Sequence, residues 1–233
     1  MSRKEWQYNE LQQAGVDYST LEEAARYDTR MQRLRDIKAE INSLVQAVAP
    51  TKEYRILEIG AGTGEFALAL AELCHSVVAV DVSEVMLDFA GKKAKERQIE
   101  NIAFCRAGFL SFDYSQGPFH IIFSQLALHH LPDFWKFVAL KKIYNALETG
   151  GRFFLKDVVF PSTIEDYNSF FDGIIESVKN SSSAEFTKEY TVHVREEFST
   201  LDWIMEDLLK KAGFTILKTK TENEIIHNYL CRK

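Results

Sequence analysis

Apolar residues recur every three or four positions from Met31 to Val48, at Met31, Leu34, Ile37, Ile41, Leu44, Val45 and Val48. That spacing predicts one amphipathic helix, stopped by Pro50. Residues 3–30 are more polar and carry Trp6, Tyr8, Tyr18 and Tyr27, which reads as short helices laid over the main body. Beyond Pro50 the pattern changes to short apolar runs alternating with helical stripes. Strands are predicted at 54–59, 76–80, 102–105, 119–123 and 152–159, with helices at 65–73, 84–97 and 133–147, the last closed by Gly150-Gly151. Short apolar strands alternating with helices imply a parallel sheet covered on both faces, and right-handed crossovers wind it in both directions. The last third departs from this rhythm. Residues 162–195 are polar and helical or irregular, with Asn180–Ser183 as a loop. A stripe of Leu201, Ile204, Met205, Leu208 and Leu209 predicts a helix ended by Gly213, and two strands follow at 214–218 and 224–230, joined by a polar turn at 221–223. The expected fold is α/β: a doubly wound, mostly parallel seven-stranded sheet with an antiparallel C-terminal hairpin and an N-terminal helical cap. The cap covers residues 1–50 and the main domain 51–233, with a helical insertion at about 160–197.

Composition narrows this little, since 46% hydrophobic and 27% charged residues are ordinary for a globular chain. Charge matters more. A net charge of −6 repels polyanions, so neither a nucleic acid nor a membrane surface is expected as partner. Cys74, Cys105 and Cys231 are odd in number and widely spaced, so they form no disulfide framework and no metal-ligand pattern. Without an apolar leader at residues 1–6, a cytoplasmic protein with reduced thiols is expected, as a monomer or homodimer.

The most informative stretch is Ile56-Leu57-Glu58-Ile59-Gly60-Ala61-Gly62-Thr63-Gly64-Glu65-Phe66. A predicted strand feeds a turn with glycine at every second position, and a helix follows. Glycine tolerates positive φ and lets a ligand approach the backbone. A dinucleotide fingerprint needs its third glycine where Glu65 stands, and that charge is unfavourable beside a pyrophosphate. An acid two residues before the first glycine instead suits a cofactor that is cationic at one end and lacks phosphate. Asp81 closes the second strand, where a carboxylate can accept both hydroxyls of a ribose. Its competing role is a helix N-cap, for which Ser83 is the rival.

Together these residues resemble the first motif of class I S-adenosylmethionine-dependent methyltransferases, with Asp81 in the place of that family's acid after the second strand. The Val82–Met86 helix opening, Ser124–Pro132 after the fourth strand and Leu208–Phe214 before the sixth agree with it. The resemblance covers residues 50–160 well and 198–231 more loosely. It implies a Rossmann-like methyltransferase fold with S-adenosyl-L-methionine as cofactor. On that basis Glu58 lies near the methionine end. Gly60, Ala61, Gly62 and Gly64 form the floor, Asp81 holds the ribose, and Val82 and Met86 pack near the adenine. Gln125, through its backbone, and Leu126 meet the amino-acid end. The family's loop after the third strand offers an aspartate to the adenine amino group. Here Gly108 stands at that position, so a backbone contact with Phe109 beside the purine is expected to substitute.

Ligands of a doubly wound sheet bind beyond the strand carboxyl ends where the chain order reverses, so the glycine loop and Ser124–Pro132 should be neighbours. His129 and His130 are the adjacent titratable pair there, suited to remove a proton from a methyl acceptor, with His129 the stronger candidate. Packing against the sheet or capping the next helix is the competing reading for either, and the His-His-Leu shared with quinone-biosynthesis methyltransferases does not fix a role. Candidate acceptor contacts are Tyr27, Arg30 and Arg33, His193 and Arg195, and Asp157 at the mouth of the pocket. Phe170, Phe171 and Phe186 are candidates for an apolar lining. The Asn/Asp-Pro-Pro-Tyr and Pro-Cys signatures of amino- and pyrimidine-methylating enzymes do not occur after the fourth strand. The expected reaction is in-line methyl transfer to a small or medium-sized molecule, with no metal. A nicotinamide-dependent oxidoreductase and a non-catalytic cofactor-binding module stay open as alternatives.

Overall fold

The computed structural model describes residues 4–12, 27–31 and 35–233. In chain order its elements are α1 (Ile37–Val48), β1 (Arg55–Ile59), α2 (Glu65–Ala71), β2 (Ser76–Asp81), α3 (Glu84–Glu96), β3 (Ile102–Arg106), β4 (Phe119–Gln125) and α4 (Asp133–Ala146). They continue as β5 (Leu147–Phe160), α5 (Tyr167–Ser181), α6 (Ala184–Glu196), β6 (Thr200–Leu201), α7 (Asp202–Ala212), β7 (Thr215–Glu222) and β8 (Ile226–Arg232). The strands lie in the order β3-β2-β1-β4-β5-β8-β7, with β6 paired to the end of β5. β1 to β5 are mutually parallel. β8 runs antiparallel between β5 and β7, so the predicted closing hairpin is present. The two-residue β6 brings the count to eight strands.

Alternation along each strand divides the core between the two faces of the sheet. Ile56, Ile121, Phe123 and Phe154 pack with Leu44 and Val48 of α1 and Ala67 and Leu70 of α2. Leu57, Ile122, Phe153 and Leu155 pack on the other face with Leu140 and Ile143 of α4 and Met205 and Leu209 of α7. With both faces covered, the parallel strands are apolar on both sides over most of their length, and the buried exceptions Glu58, Lys156 and Asp157 lie toward their carboxyl ends. Among the described residues no helix is long and apolar enough to cross a membrane. All three cysteines are free, and burial pushes Cys74 up to about 11 and Cys231 up to about 12.

Two boundaries differ from the sequence expectation. The stripe beginning at Met31 is not one helix. Residues 27–31 are helical, and α1 starts afresh at Ile37, capped by Asp36, whose Oδ1 accepts the Ala39 N–H at 2.9 Å. Gly150-Gly151 does not close α4 either. That helix ends at Ala146, Leu147 already pairs with Phe119, and the register shifts before Ile121 meets Arg152. The glycines thus carry the chain through a bulge inside β5, with Gly150 at φ +82°. The predicted loop at 180–183 shrinks to the Ser182-Ser183 break between α5 and α6.

Lys136 is completely buried in α4, although nothing in its polar identity announces this. Its Nζ donates to Asp133 Oδ1 at 2.7 Å and to the Phe198 carbonyl, and Asp133 Oδ2 accepts from Thr200 Oγ1 at 3.1 Å. One cation therefore fastens the start of α4 to the strand that leads out of α6. Lys136→Ala is expected to cost about 2–3 kcal/mol in urea unfolding, the worth of charged hydrogen bonds lost from a buried donor.

Candidate functional site

The glycine loop is forced by its surroundings. Gly60 and Ala61 both donate to the Val80 carbonyl, at 2.8 and 2.9 Å, which bends the chain sharply off β1. Gly60 has φ +81°, and a Cβ there would lie 2.4 Å from the Ala127 Cβ, so only glycine lets the loop meet the segment after β4. This is the predicted juxtaposition. Gly64, also at positive φ, opens α2 against Ala90 and does not line the cavity. Asp81 ties the loop to β2: Oδ2 accepts the Gly62 N–H at 2.7 Å and Oδ1 accepts the Ser83 N–H at 2.8 Å. The cap of α3 is Ser83, through the Met86 N–H, so the capping role considered for Asp81 falls to its rival. Each Asp81 oxygen keeps lone-pair capacity for another donor. Burial raises the Asp81 pKa, against the pull of its backbone donors.

Three buried polar atoms beside this loop have no protein partner, Glu58 Oε2, Ser124 Oγ and Gln125 Nε2. Glu58 is 2% exposed; burial first, and the Asp81 charge second, raise its carboxyl well above the usual range. Glu58, Gln125 and Ala61 line a narrow recess with Tyr27 and Asp28. Next to Gln125, Leu126 sits at φ +53°, a strained position for a γ-branched residue, held by its N–H on the Lys156 carbonyl at 2.7 Å.

The recess adjoins a cavity of about 860 Å³ at the carboxyl ends of the parallel strands. Asp81, Val82, Met86, Gly108 and Phe109 line one end, and His129 and His130 face it from the turn after β4. Phe186, Tyr190, His193 and Glu197 of the α5–α6 insertion close the far wall. Among acceptor candidates, Tyr27 lines the cavity. Arg30 lies behind it, its guanidinium 5.9 Å from the Tyr27 ring centre and 2.7 Å from Glu189. Phe170 and Phe171 pack on each other, and Phe171 packs on Phe160. Tyr18 and Arg33 lie outside the described residues.

Two expectations need correction. Arg195 does not reach the cavity: two residues from His193, it is turned to the other side of α6 and pairs with Glu196 in solvent. Asp157 is not at the pocket mouth but fully buried under His129, accepting from His129 Nδ1 at 2.5 Å and from the Val158 N–H at 2.9 Å.

That contact belongs to a cluster that reorders the two histidines. His129 Nε2 lies 3.2 Å from Glu197 Oε2, and the same oxygen meets His193 Nδ1. His193 in the last turn of α6 and Glu197 at its C-cap are four apart, a spacing that points to Glu197 once His193 is suspected. Burial alone lowers a histidine's pKa; here Asp157 and Glu197 outweigh it, and His129 is pushed up to about 9. Glu197, despite burial, is held far below the carboxylate range by bonds from His129 and His193. Burial, then the charge of His129, brings His130 down to about 4. At neutral pH His129 is an imidazolium between two carboxylates, while His130 is neutral with a buried, unpartnered Nδ1. Ligand atoms of His129, His130 and Glu197 lie within 4.8 Å of one another. Hydrogen bonding with Asp157 and Glu197 already occupies both nitrogens of His129, which marks the group as a proton-holding cluster. A second ionic group, Arg35–Glu40–Lys156–Glu222, lines the same cavity and was not visible in the sequence.

Residues 50–221 match the family model of the methyltransferase domain. The chain is 30% identical to an uncharacterized methyltransferase of Bacillus subtilis, YcgJ, over 52% of this chain and 47% of that protein. It is 28% identical to the demethylmenaquinone methyltransferase of Lactococcus lactis over 70% of this chain and 66% of that enzyme. The chain thus spans about half to two thirds of these relatives. The N-methyltransferase NodS of Bradyrhizobium japonicum, solved with S-adenosyl-L-homocysteine, shares the fold at 17% identity and TM-score 0.64, over 93% of this chain and 97% of that one. The chain belongs to the methyltransferase-domain family, in the class I S-adenosylmethionine-dependent group. S-adenosylmethionine is its cofactor. The residues present fit that group: Glu58 Oε2 and Gln125 Nε2 are an orphaned acceptor and donor for an amino acid, and Asp81 has acceptor capacity left for a ribose.

Proposed function

We propose that the protein transfers a methyl group from S-adenosylmethionine to a small molecule bound in the cavity between the glycine loop and the α5–α6 insertion. The single observation that carries this reading is the cavity itself, of about 860 Å³, which joins the Gly60–Gly62 loop to the His129–His130 turn. It is large enough for a cofactor and a modest acceptor together, and its walls combine apolar surface with a few polar groups. Glu58 and Gln125 would receive the amino-acid end of the cofactor, Gly60 to Gly62 its backbone-facing side, Asp81 the ribose, and Val82, Met86 and Phe109 the purine. Once bound, the cofactor supplies an electrophilic methyl on sulfonium, and what remains for the protein is alignment, exclusion of water and a proton acceptor.

His130 is the group placed to take that proton, because its free Nδ1 is neutral at physiological pH. His129 positions it, held between Asp157 and Glu197. Residues 1–50 and the insertion at about 160–197 act as the cap that selects the acceptor through Tyr27, Phe186 and His193. The 28% identical relative from Lactococcus lactis is a demethylmenaquinone methyltransferase, and a planar acceptor lying against Phe186 and Tyr190 is compatible with this wall.

Incubation with methyl-labelled cofactor and a fractionated small-molecule extract is expected to place label on one low-molecular-weight product. Label recovered only in protein or RNA would overturn the reading.

A further inference from the structure

The turn after β3 runs Ala107-Gly108-Phe109-Leu110-Ser111 and carries no acid of its own. A carboxylate is nevertheless there. A Cβ built on Gly108 would lie 2.4 Å from Glu10 Oε2, 2.5 Å from its Cδ and 2.9 Å from its Oε1. The head of Glu10 therefore fills the space a side chain at 108 would take. It is fixed by the turn's own backbone. The Leu110 N–H donates to Oε1 at 3.0 Å and to Oε2 at 2.9 Å, and the Ser111 N–H donates to Oε1 at 2.6 Å. Oε1 thus accepts two donors and Oε2 only one, which leaves acceptor capacity on the oxygen nearest Gly108. Glu10 and Gly108 line the same end of the cavity as Asp81 and Met86. The segment bearing Glu10 is anchored on the histidine side as well: Trp6 stacks on Trp135 at 6.2 Å, and the Tyr8 hydroxyl donates to the His130 carbonyl at 3.2 Å.

We propose that Glu10 is the carboxylate that accepts the exocyclic amino group of the cofactor's adenine, delivered by the N-terminal segment in place of a side chain at position 108. The inference rests on assigning this cavity to S-adenosylmethionine. It replaces the expected backbone contact at Phe109 and gives Gly108 a reason, since any larger residue would overlap Glu10. It also makes the segment at residues 6–10 a strap that joins the purine end of the site to the His130 turn. A carboxylate welcomes the 6-amino group of adenine and rejects the 6-oxo group of hypoxanthine, because two acceptors would then face each other.

The test compares, by calorimetry, the affinities of S-adenosylhomocysteine and S-inosylhomocysteine, which differ in that group. The unsubstituted protein is expected to prefer the adenosyl ligand 10- to 100-fold, the worth of a charged hydrogen bond. In Glu10→Gln and Glu10→Ala the preference should shrink to about threefold or less, and Glu10→Ala combined with Gly108→Asp should restore it. Gly108→Asp alone, with Glu10 in place, should weaken both ligands through overlap. If the Glu10 variants lose affinity equally for both ligands, or lose none, the residue only braces the turn and the proposal is overturned. If the unsubstituted protein binds neither ligand, the assignment of the cavity fails first and takes the proposal with it.

Discussion

Turnover by His130→Ala is expected to fall about 10²-fold or more, the usual share of a positioned proton acceptor, while affinity for S-adenosylhomocysteine stays within about threefold. The two rings differ in whether a nitrogen is left without a hydrogen-bond partner. Both nitrogens of His129 are engaged, one by Asp157 at 2.5 Å and one by Glu197 at 3.2 Å, so its proton is held in place. His130 lines the cavity, and its buried Nδ1 has no protein partner. His129→Ala should behave differently, because it leaves two carboxylates facing each other across the vacated space. Its main effect is expected on stability, about 3–5 kcal/mol, as when one member of a buried ionic group is removed. The pH dependence follows. His129 is raised to about 9 in the fold, so the stability it contributes is complete below about 6.5, its unfolded value, and is lost as pH rises through 9. His130 is lowered to about 4, so the rate should hold steady down to roughly that pH and then decline. A rate plateau between these limits is expected, and a single rise near 6.5 in the pH profile would show that neither histidine is perturbed as the geometry demands.

How much of this was legible in the sequence depends on the range of each interaction. The sheet could be read because strands covered on both faces are mostly apolar on both sides, and five such short runs alternate with helical stripes. The misreadings come where a local pattern runs through a break. Met31 continues the stripe of α1 only by coincidence of spacing, since Asp36 caps a new helix after it. Gly150-Gly151 looks like a helix stop, but Leu147 is already in β5, and a glycine pair serves a bulge as well as it serves a C-cap.

The cofactor end of the site was legible for a related reason. Glycines, the strand-end acid and Asp81 act within one βαβ unit, where order along the chain is order in space. The charged half was not. Lys156 meets Glu40 across 116 positions, and Glu10 reaches Leu110 across 100. Polar residues at such separations look like solvated surface until the fold joins them. Asp157 illustrates the intermediate case: its position at the end of β5 pointed to the site, but only the pairing with His129 shows that it supports the site from beneath.

Glu58→Gln is expected to weaken S-adenosylhomocysteine binding 10- to 100-fold and, at the same time, to make the ligand-free protein more stable. Both effects have one origin. Glu58 is buried with Oε2 unpartnered and with Asp81 nearby, so its ionised form is disfavoured and its pKa stands well above the ordinary value. An acid raised in the fold costs stability above its unfolded pKa of about 4.3, and the cost reaches its full size once pH exceeds the folded value. Glutamine removes that cost at neutral pH, worth about 1 kcal/mol or a rise of about 2–4 °C in Tm, and the difference should vanish below pH 4, where both states hold the proton. The ammonium of the cofactor's amino acid reverses the balance by favouring the carboxylate, so binding should expel a proton. Affinity should then rise with pH until Glu58 ionises unaided. Calorimetry in two buffers of different ionisation enthalpy measures the proton released, and thermal denaturation of both proteins without ligand measures the stability change. Unaltered affinity in Glu58→Gln, or binding heat independent of buffer, would mean that the ammonium does not meet this carboxylate. The site would then have to take the amino-acid end of the cofactor elsewhere along the glycine loop.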